Sequence, residues 1–324
     1  MNGNGMNTIE LTLGIDIGGT NTKFGLVDKS GKVYLRESLN TEADKPAELL
    51  FNRIFKKLAT AQKQLPGNIS IKGVGIGAPN ANYYTGTIES PPNLSWQSVD
   101  LIKLVRRHLE LPVSVTNDAN AAALGEMKFG NARNFKHFIE ITLGTGVGSG
   151  IVVNGEILYG HDGFAGEMGH VIIERNGRQC GCGRRGCLET YASATGITRT
   201  MEEILSSSAE NSLLRNLPES ELTSKKIYEA ALDKDPLALQ AFETTGKYLG
   251  LGIADAIHYF SPEAIILFGG LAAAGELIFE PVRRYTEANL MSFFRNKVKI
   301  IPSGLPAGDA AILGASALIW HEIS

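Results

Sequence analysis

The chain has 324 residues, 43% of them hydrophobic, and a formal net charge of −3. That supplies apolar material for the cores of two ordinary domains, and the slightly acidic balance argues against a non-specific nucleic-acid surface. The longest near-apolar run, 264–274, is too short to span a bilayer.

The opening MNGNGMNTIE is polar and lacks the basic and apolar regions of a secretory signal. It reads as a disordered tail, with Met6 as an alternative start. LTLGIDI (11–17) is an apolar strand that breaks at Gly18-Gly19-Thr20; KFGLVD makes a second strand and, after Gly31, KVYLRES a third. This is a meander of hairpins and not a βαβ opening. Residues 46–65 follow with helical spacing, Pro46 at the start and Leu49, Leu50, Ile54, Phe55 and Leu58 on one face. A buried strand is expected over 69–77, an amphipathic helix over 98–109, a strand over 112–118 and a helix over 119–130 stopped by Gly130.

A second cycle begins with a strand at 135–143, the turn GTGVGSG and a paired strand IVVNGEIL. Strand–GGT–strand at 14–27 and strand–GTG–strand at 141–153 share one layout, a weak internal repeat. A helix starts near 188. Asp235-Pro236 opens a long helix to about 260, with aspartate as N-cap and proline at the first helical position. AIILFGG (264–270) and KVKIIPSG (297–304) are strands, and Gly308-Asp309 opens a closing helix. The segment 206–224 is a polar insertion. The order βββαβαβα, repeated with insertions, makes an α/β protein of two similar lobes. The 37 glycines read mainly as loop residues that bring backbone close to ligands.

All three cysteines fall in GEMGHVIIERNGRQCGCGRRGCLET. Cys180, Cys182 and Cys187 with His170 make a four-ligand set suited to tetrahedral zinc, and four protein ligands leave no open position, so the metal reads as structural. Gly181, Gly183 and Gly186 let the backbone wrap one ion. The alternatives are a disulfide, disfavoured by the odd count and by the small ring that Cys180 and Cys182 would close, and a catalytic thiol, which nothing marks. Cysteines committed to metal and no secretory signal point to the cytoplasm.

Asp16 lies on a buried strand just before a glycine turn. Such a carboxylate needs a partner, and a magnesium-bound water is one. Gly18, Gly19 and Thr20 offer N–H groups and a hydroxyl to phosphate oxygens; the other reading is a plain tight hairpin. LGTGVGSG (143–150) repeats the arrangement with Gly144, Thr145, Gly146 and Gly148. Two glycine hairpins, one per lobe, suggest two jaws on one polyphosphate. Gly269 and Gly270 form a third glycine turn that passes under an adenine or ribose, or merely packs strand on helix. Asn117-Asp118 stands at a strand end, where α/β proteins place their sites, and also suits a helix N-cap. Its carboxylate can take a proton from a sugar hydroxyl attacking phosphorus. Glu167, His170 and Glu189 suit vicinal hydroxyls, with Glu167 and His170 on one face if their turn is helical.

DIGGTNTKFGLVD, NDANAAALGE, LGTGVGSGIV, GFAGEMGH and CGCGRRGCLETYAS, in that order, resemble the ROK family (repressor, open reading frame, kinase) over roughly 11–320. PPNLSW and ETYASATGI make the chain most similar to the family's bacterial ATP-dependent glucokinases. The resemblance implies a two-lobed actin-like ATPase (ribonuclease H-like) fold with a zinc-binding loop. It assigns 1–118 plus 310–324 to an N-terminal lobe and 119–309 to a C-terminal lobe. It implies a kinase acting on the 6-hydroxyl of a hexose, with glucose foremost and N-acetylmannosamine, N-acetylglucosamine, allose or fructose as other acceptors. Asp118 would be the general base; Gly77, Asn93, Asn117, Asp118, Glu167, His170 and Glu189 would hold the sugar. Asp16, Gly18, Gly19, Thr20 and Asn21, with Gly144, Thr145, Gly146, Gly148, Gly269 and Gly270, would bind Mg·ATP. His170, Cys180, Cys182 and Cys187 would hold zinc, which positions His170 and Glu189. Family members are commonly homodimers or homotetramers, and for this chain sugar and ATP are expected as partners, with no nucleic acid and no membrane. The family's repressors add an N-terminal helix-turn-helix, for which a first hairpin at Gly14 leaves no room. GAPN places Asn80 where many family glucokinases carry glycine, so a side chain there is expected near the sugar.

Overall fold

The computed structural model describes residues 8–91 and 93–324; the expected tail with Met6, and Pro92 of PPNLSW, lie outside them. The chain packs into two compact units. One comprises residues up to Asn134, Glu156–Ala165 and Gly304–Ser324; the other comprises Phe135–Gly155 and Gly166–Ser303.

In the first unit β1 (Ile9–Ile17), β2 (Asn21–Val27) and β3 (Val33–Asn40) form the antiparallel meander. α1 (Ala47–Gln62) leads to β4 (Ile69–Gly77), which lies parallel to β1. β5 (Thr87–Glu89) and β6 (Ser98–Asp100) pair antiparallel; α2 (Leu101–Arg106), β7 (Val113–Thr116) and α3 (Asp118–Phe129) follow. The sheet order is β3-β2-β1-β4-β7. α1 buries Leu50, Phe51, Ile54, Phe55 and Leu58, while Leu49 is 46% exposed. Positions 50, 54 and 58 make the stripe, and 49 stands a hundred degrees off it, so Phe51 takes the place expected for Leu49. The helix expected over 98–109 begins only at Leu101. The Asp100 carboxylate accepts from Lys103 N–H at 2.8 Å and caps it there, which leaves 98–100 to the small sheet.

In the second unit β8 (Phe138–Leu143) and β9 (Val147–Val153) form a hairpin; β10 (Glu156–Ile157) follows in the chain. A long loop leads to α4 (Glu189–Ala192) and α5 (Ala194–Ser207), so the helix expected near 188 is broken at Ser193. α6 (Ser224–Leu232), which the periodicity does not reveal, precedes α7 (Pro236–Phe260), β11 (Ala264–Phe268), α8 (Glu276–Asn289) and β12 (Lys299–Pro302). Asp235 caps α7 through Leu237 and Ala238 N–H, both at 3.0 Å, and also accepts from Leu213 N–H. One carboxylate thus starts the helix and pins the 206–224 insertion. β8, β11 and β12 run parallel, in the order β9-β8-β11-β12. This is the layout of β2-β1-β4-β7, so the repeat read from the two glycine turns extends to strand order.

α9 (Ala310–Glu322) returns to the first sheet. It lies so close that a methyl on Gly75 would come within 1.8 Å of the Ala315 carbonyl oxygen, and one on Gly14 within 2.4 Å of the Ile312 oxygen. These strand glycines serve helix–sheet contact, not loops near ligands, which corrects the reading of the glycine content. α3 lies against α9 as well, Gly125 facing Gly314. The first unit therefore takes in 119–134, 156–165 and 304–309 besides the 1–118 and 310–324 read from the sequence. Among the described residues no helix is long and apolar enough to cross a membrane.

Candidate active site

Asp16 sits on β1 opposite Lys23 of β2 and Gly77 of β4. A methyl group built on Gly77 would lie 3.7 Å from Asp16 Oδ1 and 3.8 Å from Asp118 Cα. Gly77 therefore lies beside both aspartates. Burial, then the neighbouring Asp118 carboxylate, pushes Asp16 up to about 7, against the pull of Lys23. A hard divalent cation would offset the charge of these two carboxylates.

Asp118 is the first residue of α3. Asn117 is its N-cap, accepting from Asn120 N–H at 2.7 Å through Oδ1, so the capping reading of Asn117 holds and its amide nitrogen is not used by the cap. Asp118 Oδ1 accepts from Ala119 N–H at 2.9 Å. The residue reaches solvent, yet crowding by protein atoms raises its carboxyl above the ordinary value despite that N–H. Raising a carboxylate makes it a better proton acceptor near neutral pH.

The first glycine turn is fastened from behind. Thr41 donates its hydroxyl to the Gly18 carbonyl at 2.6 Å and its N–H to the Thr20 carbonyl at 2.9 Å. Gly19 backs onto Asn93, whose Cβ would stand 2.7 Å from an added methyl. The turn expected to hold phosphate and the asparagine expected to hold sugar are therefore neighbours, while Thr20 and Asn21 are exposed. Asn80 does not project as a free side chain. It adopts φ +54 and its amide donates to the Glu89 and Ser90 carbonyls at 3.1 and 3.3 Å. Asparagine tolerates this left-handed conformation, which is otherwise glycine's, so the departure at Asn80 is answered by backbone geometry.

In the second unit the β8–β9 turn presents Gly144 and Thr145 to solvent. Gly148 N–H bonds Thr142 Oγ1 at 3.1 Å. Gly269, at φ +103, packs against the Leu143 carbonyl, so strand packing accounts for it, whereas Gly270 is exposed with open space around its Cα. Glu167 precedes a single 3-10 turn, Met168–His170, which closes with His170 N–H on the Glu167 carbonyl at 3.1 Å.

Ligand atoms of His170, Cys180, Cys182 and Cys187 all lie within 4.8 Å of one another. The Sγ atoms of Cys182 and Cys187 are 3.6 Å apart, and Cys180 Sγ is 3.7 Å from His170 Nδ1. A tetrahedron built on ordinary zinc–sulfur and zinc–nitrogen bonds has edges of about 3.8 and about 3.5 Å. The donor set fits zinc in kind and in spacing. Hydrogen bonding from Arg184 N–H pushes the exposed Cys182 thiol down to about 6, while burial pushes Cys180 and Cys187 up. Glu189 touches this cluster: Oε1 accepts from Cys180 Sγ at 3.0 Å and lies 3.6 Å from His170 Nδ1. Its Oε2 would be 2.6 Å from a methyl on Gly146. The carboxylate therefore bridges the metal cluster and the second glycine turn.

Sequence reasoning missed what holds this loop in place. Arg178 is buried beside the first cysteine. It donates to Glu203, to the Thr190 and Gly196 carbonyls and to Thr200 Oγ1, and lies over the Tyr191 ring at 4.4 Å. The loop carries Arg175, Arg178, Arg184 and Arg185, and nothing in the sequence singles out the one that turns inward.

The ROK family model matches residues 12–322. The chain belongs to the ROK family. It is 35% identical to a glucokinase of Thermotoga maritima over 96% of this chain and 98% of that one. It is 31% identical to the xylose repressor of Bacillus subtilis, over 95% of this chain and 76% of the repressor. Among solved structures, a ROK family glucokinase from Streptomyces griseus in complex with glucose and AMPPNP superposes with a TM-score of 0.80 at 34% identity, covering 95% of this chain and 98% of that one.

Proposed function

We propose that this ROK protein is an ATP-dependent hexose kinase with glucose as its foremost acceptor. One observation carries the reading: Asp118, a raised and solvent-reaching carboxylate, stands beside Asp16 across Gly77, in a chain similar end to end to a glucokinase solved with glucose and an ATP analogue. As the sugar 6-oxygen bonds to the γ-phosphorus and the β–γ bridging oxygen leaves with ADP, the hydroxyl proton passes to Asp118. Oδ1 is held by Ala119 N–H, which leaves Oδ2 to receive it. Phosphoryl transfer asks for positioning and charge neutralisation more than covalent chemistry. Gly19 and Thr20 of the first turn and Thr145 and Gly146 of the second offer N–H groups to phosphate oxygens, and Asp16 would hold a hydrated magnesium ion, which would neutralise phosphate charge. Asn93, Asn117, Glu167, His170 and Glu189 bind sugar hydroxyls. His170, Cys180, Cys182 and Cys187 would hold structural zinc, which would fix His170 and the loop that ends at Glu189. ATP as donor and three unpaired thiols suit the cytoplasm.

A coupled assay of ADP release with Mg·ATP tests this against glucose, N-acetylmannosamine, N-acetylglucosamine, fructose and allose. We expect glucose to give the highest kcat/KM. A higher value on another sugar moves the specificity and keeps the reaction. A second reading, a sugar-responsive regulator, rests on the likeness to the xylose repressor; turnover of none of the five sugars would favour it.

A further inference from the structure

The second glycine turn is seated on the start of α5. Ala194 N–H donates to the Gly144 carbonyl at 2.9 Å, and the Thr195 hydroxyl donates to the Thr145 carbonyl at 2.8 Å. In a planar trans peptide the N–H points opposite to the C=O. With both carbonyls turned to α5, the next N–H groups, those of Thr145 and Gly146, point away from it, side by side. Two adjacent N–H groups so directed make an anion-binding concavity. The Gly144 N–H is consumed within the turn by the Gly146 carbonyl, at 3.0 Å.

Thr195 is also linked to the zinc end of the unit. Its Oγ1 lies 2.9 Å from Ser193 Oγ, which is 2.6 Å from the Glu189 carbonyl. Each hydroxyl carries one proton, and both carbonyls are satisfied when Ser193 donates to Glu189 and Thr195 to Thr145. Ser193 is buried and is fixed as the α5 N-cap by Gly196 N–H, whereas Thr195 is exposed. An exposed threonine whose hydroxyl bonds the apex of a glycine turn is not needed for the core.

We propose that Thr195 is a positioning residue for the nucleotide: it holds the Thr145 carbonyl so that the Thr145 and Gly146 N–H groups face the phosphate oxygens of ATP. This rests on the kinase reading above and names a residue that touches neither substrate. Thr195→Val keeps the branched shape and deletes the hydroxyl; Thr195→Ser keeps the hydroxyl. One neutral hydrogen bond corresponds to a change of about five- to tenfold in affinity. We expect Thr195→Val to raise the KM for Mg·ATP and the calorimetric Kd for Mg·ADP by about that factor, while glucose KM, zinc content and melting temperature stay near wild type. Thr195→Ser should restore both nucleotide constants. Should the valine variant not fold, Thr195→Ala replaces it. Unchanged nucleotide constants would overturn the proposal, as would failure of serine to restore them or an equal rise in glucose KM. If wild type turns over no sugar, the kinase reading falls and the ADP measurement still decides: weaker ADP binding by the valine variant upholds the role of Thr195, and no ADP binding by wild type overturns it.

Discussion

Asp118, proposed as the general base, occupies the first residue of α3, with one carboxylate oxygen on Ala119 N–H. Asparagine there keeps the size and the backbone bond and removes the basic oxygen. A positioned general base contributes about 10²- to 10⁴-fold. Asp118→Asn should therefore lower kcat by that order with melting temperature and zinc content unchanged; turnover within a few-fold of wild type would reject the assignment. Asp16 has a different signature. It is held near 7 in the folded chain against an ordinary 3.8. The folded protein binds the extra proton between those values, so its stabilising effect is complete below the lower value and is lost as pH rises through the upper one. Asp16→Asn removes the titration. Melts without magnesium or nucleotide should show the variant gaining on wild type between about pH 4 and about pH 7, although it loses activity for want of a cation ligand. Parallel pH profiles for the two proteins would refute the raised value.

The cysteine loop is an element with little regular structure of its own: two isolated bridges, Ile172 with Cys187 and Gln179 with Arg185, and the internal anchor Arg178. A loop so poor in backbone ladders depends on its cross-links. Cys182→Ser should lose about one zinc per chain by metal analysis and lower the melting temperature. Glucose KM should rise as well, because His170 is one of the four ligands and Glu189 follows the last cysteine by two residues. Retention of both metal and stability by that variant would argue against the site. Cys182 is the informative position because it is exposed, so serine there disturbs no packing.

Across the whole molecule, two sheets share one strand order, a hairpin followed by two parallel strands on the same side. In the first, α9 presses on bare backbone at Gly14 and Gly75. A methyl on Gly75 meets a carbonyl oxygen that the helix cannot withdraw without moving bodily. Overpacking of this kind costs about 1–3 kcal/mol, occasionally more. Gly75→Ala should accordingly lower the urea midpoint of wild-type protein or abolish soluble expression, and an unchanged midpoint would mean that α9 is not so tightly seated.

The strands, the two glycine hairpins, the Asp235-Pro236 helix start and the Cys3His set are legible in the sequence because each is written in neighbouring residues. Alternation, capping and ligand type are local signals, and the family motifs fall on the same positions. The tertiary structure alone decides the rest. Gly77 matters because an aspartate of β1 and one of α3 lie beside it, Arg178 because it is the buried one of the four loop arginines, and Thr195 because its hydroxyl meets a turn fifty residues away. These roles belong to contacts between segments distant in the chain, and a residue type without its neighbour carries no sign of them.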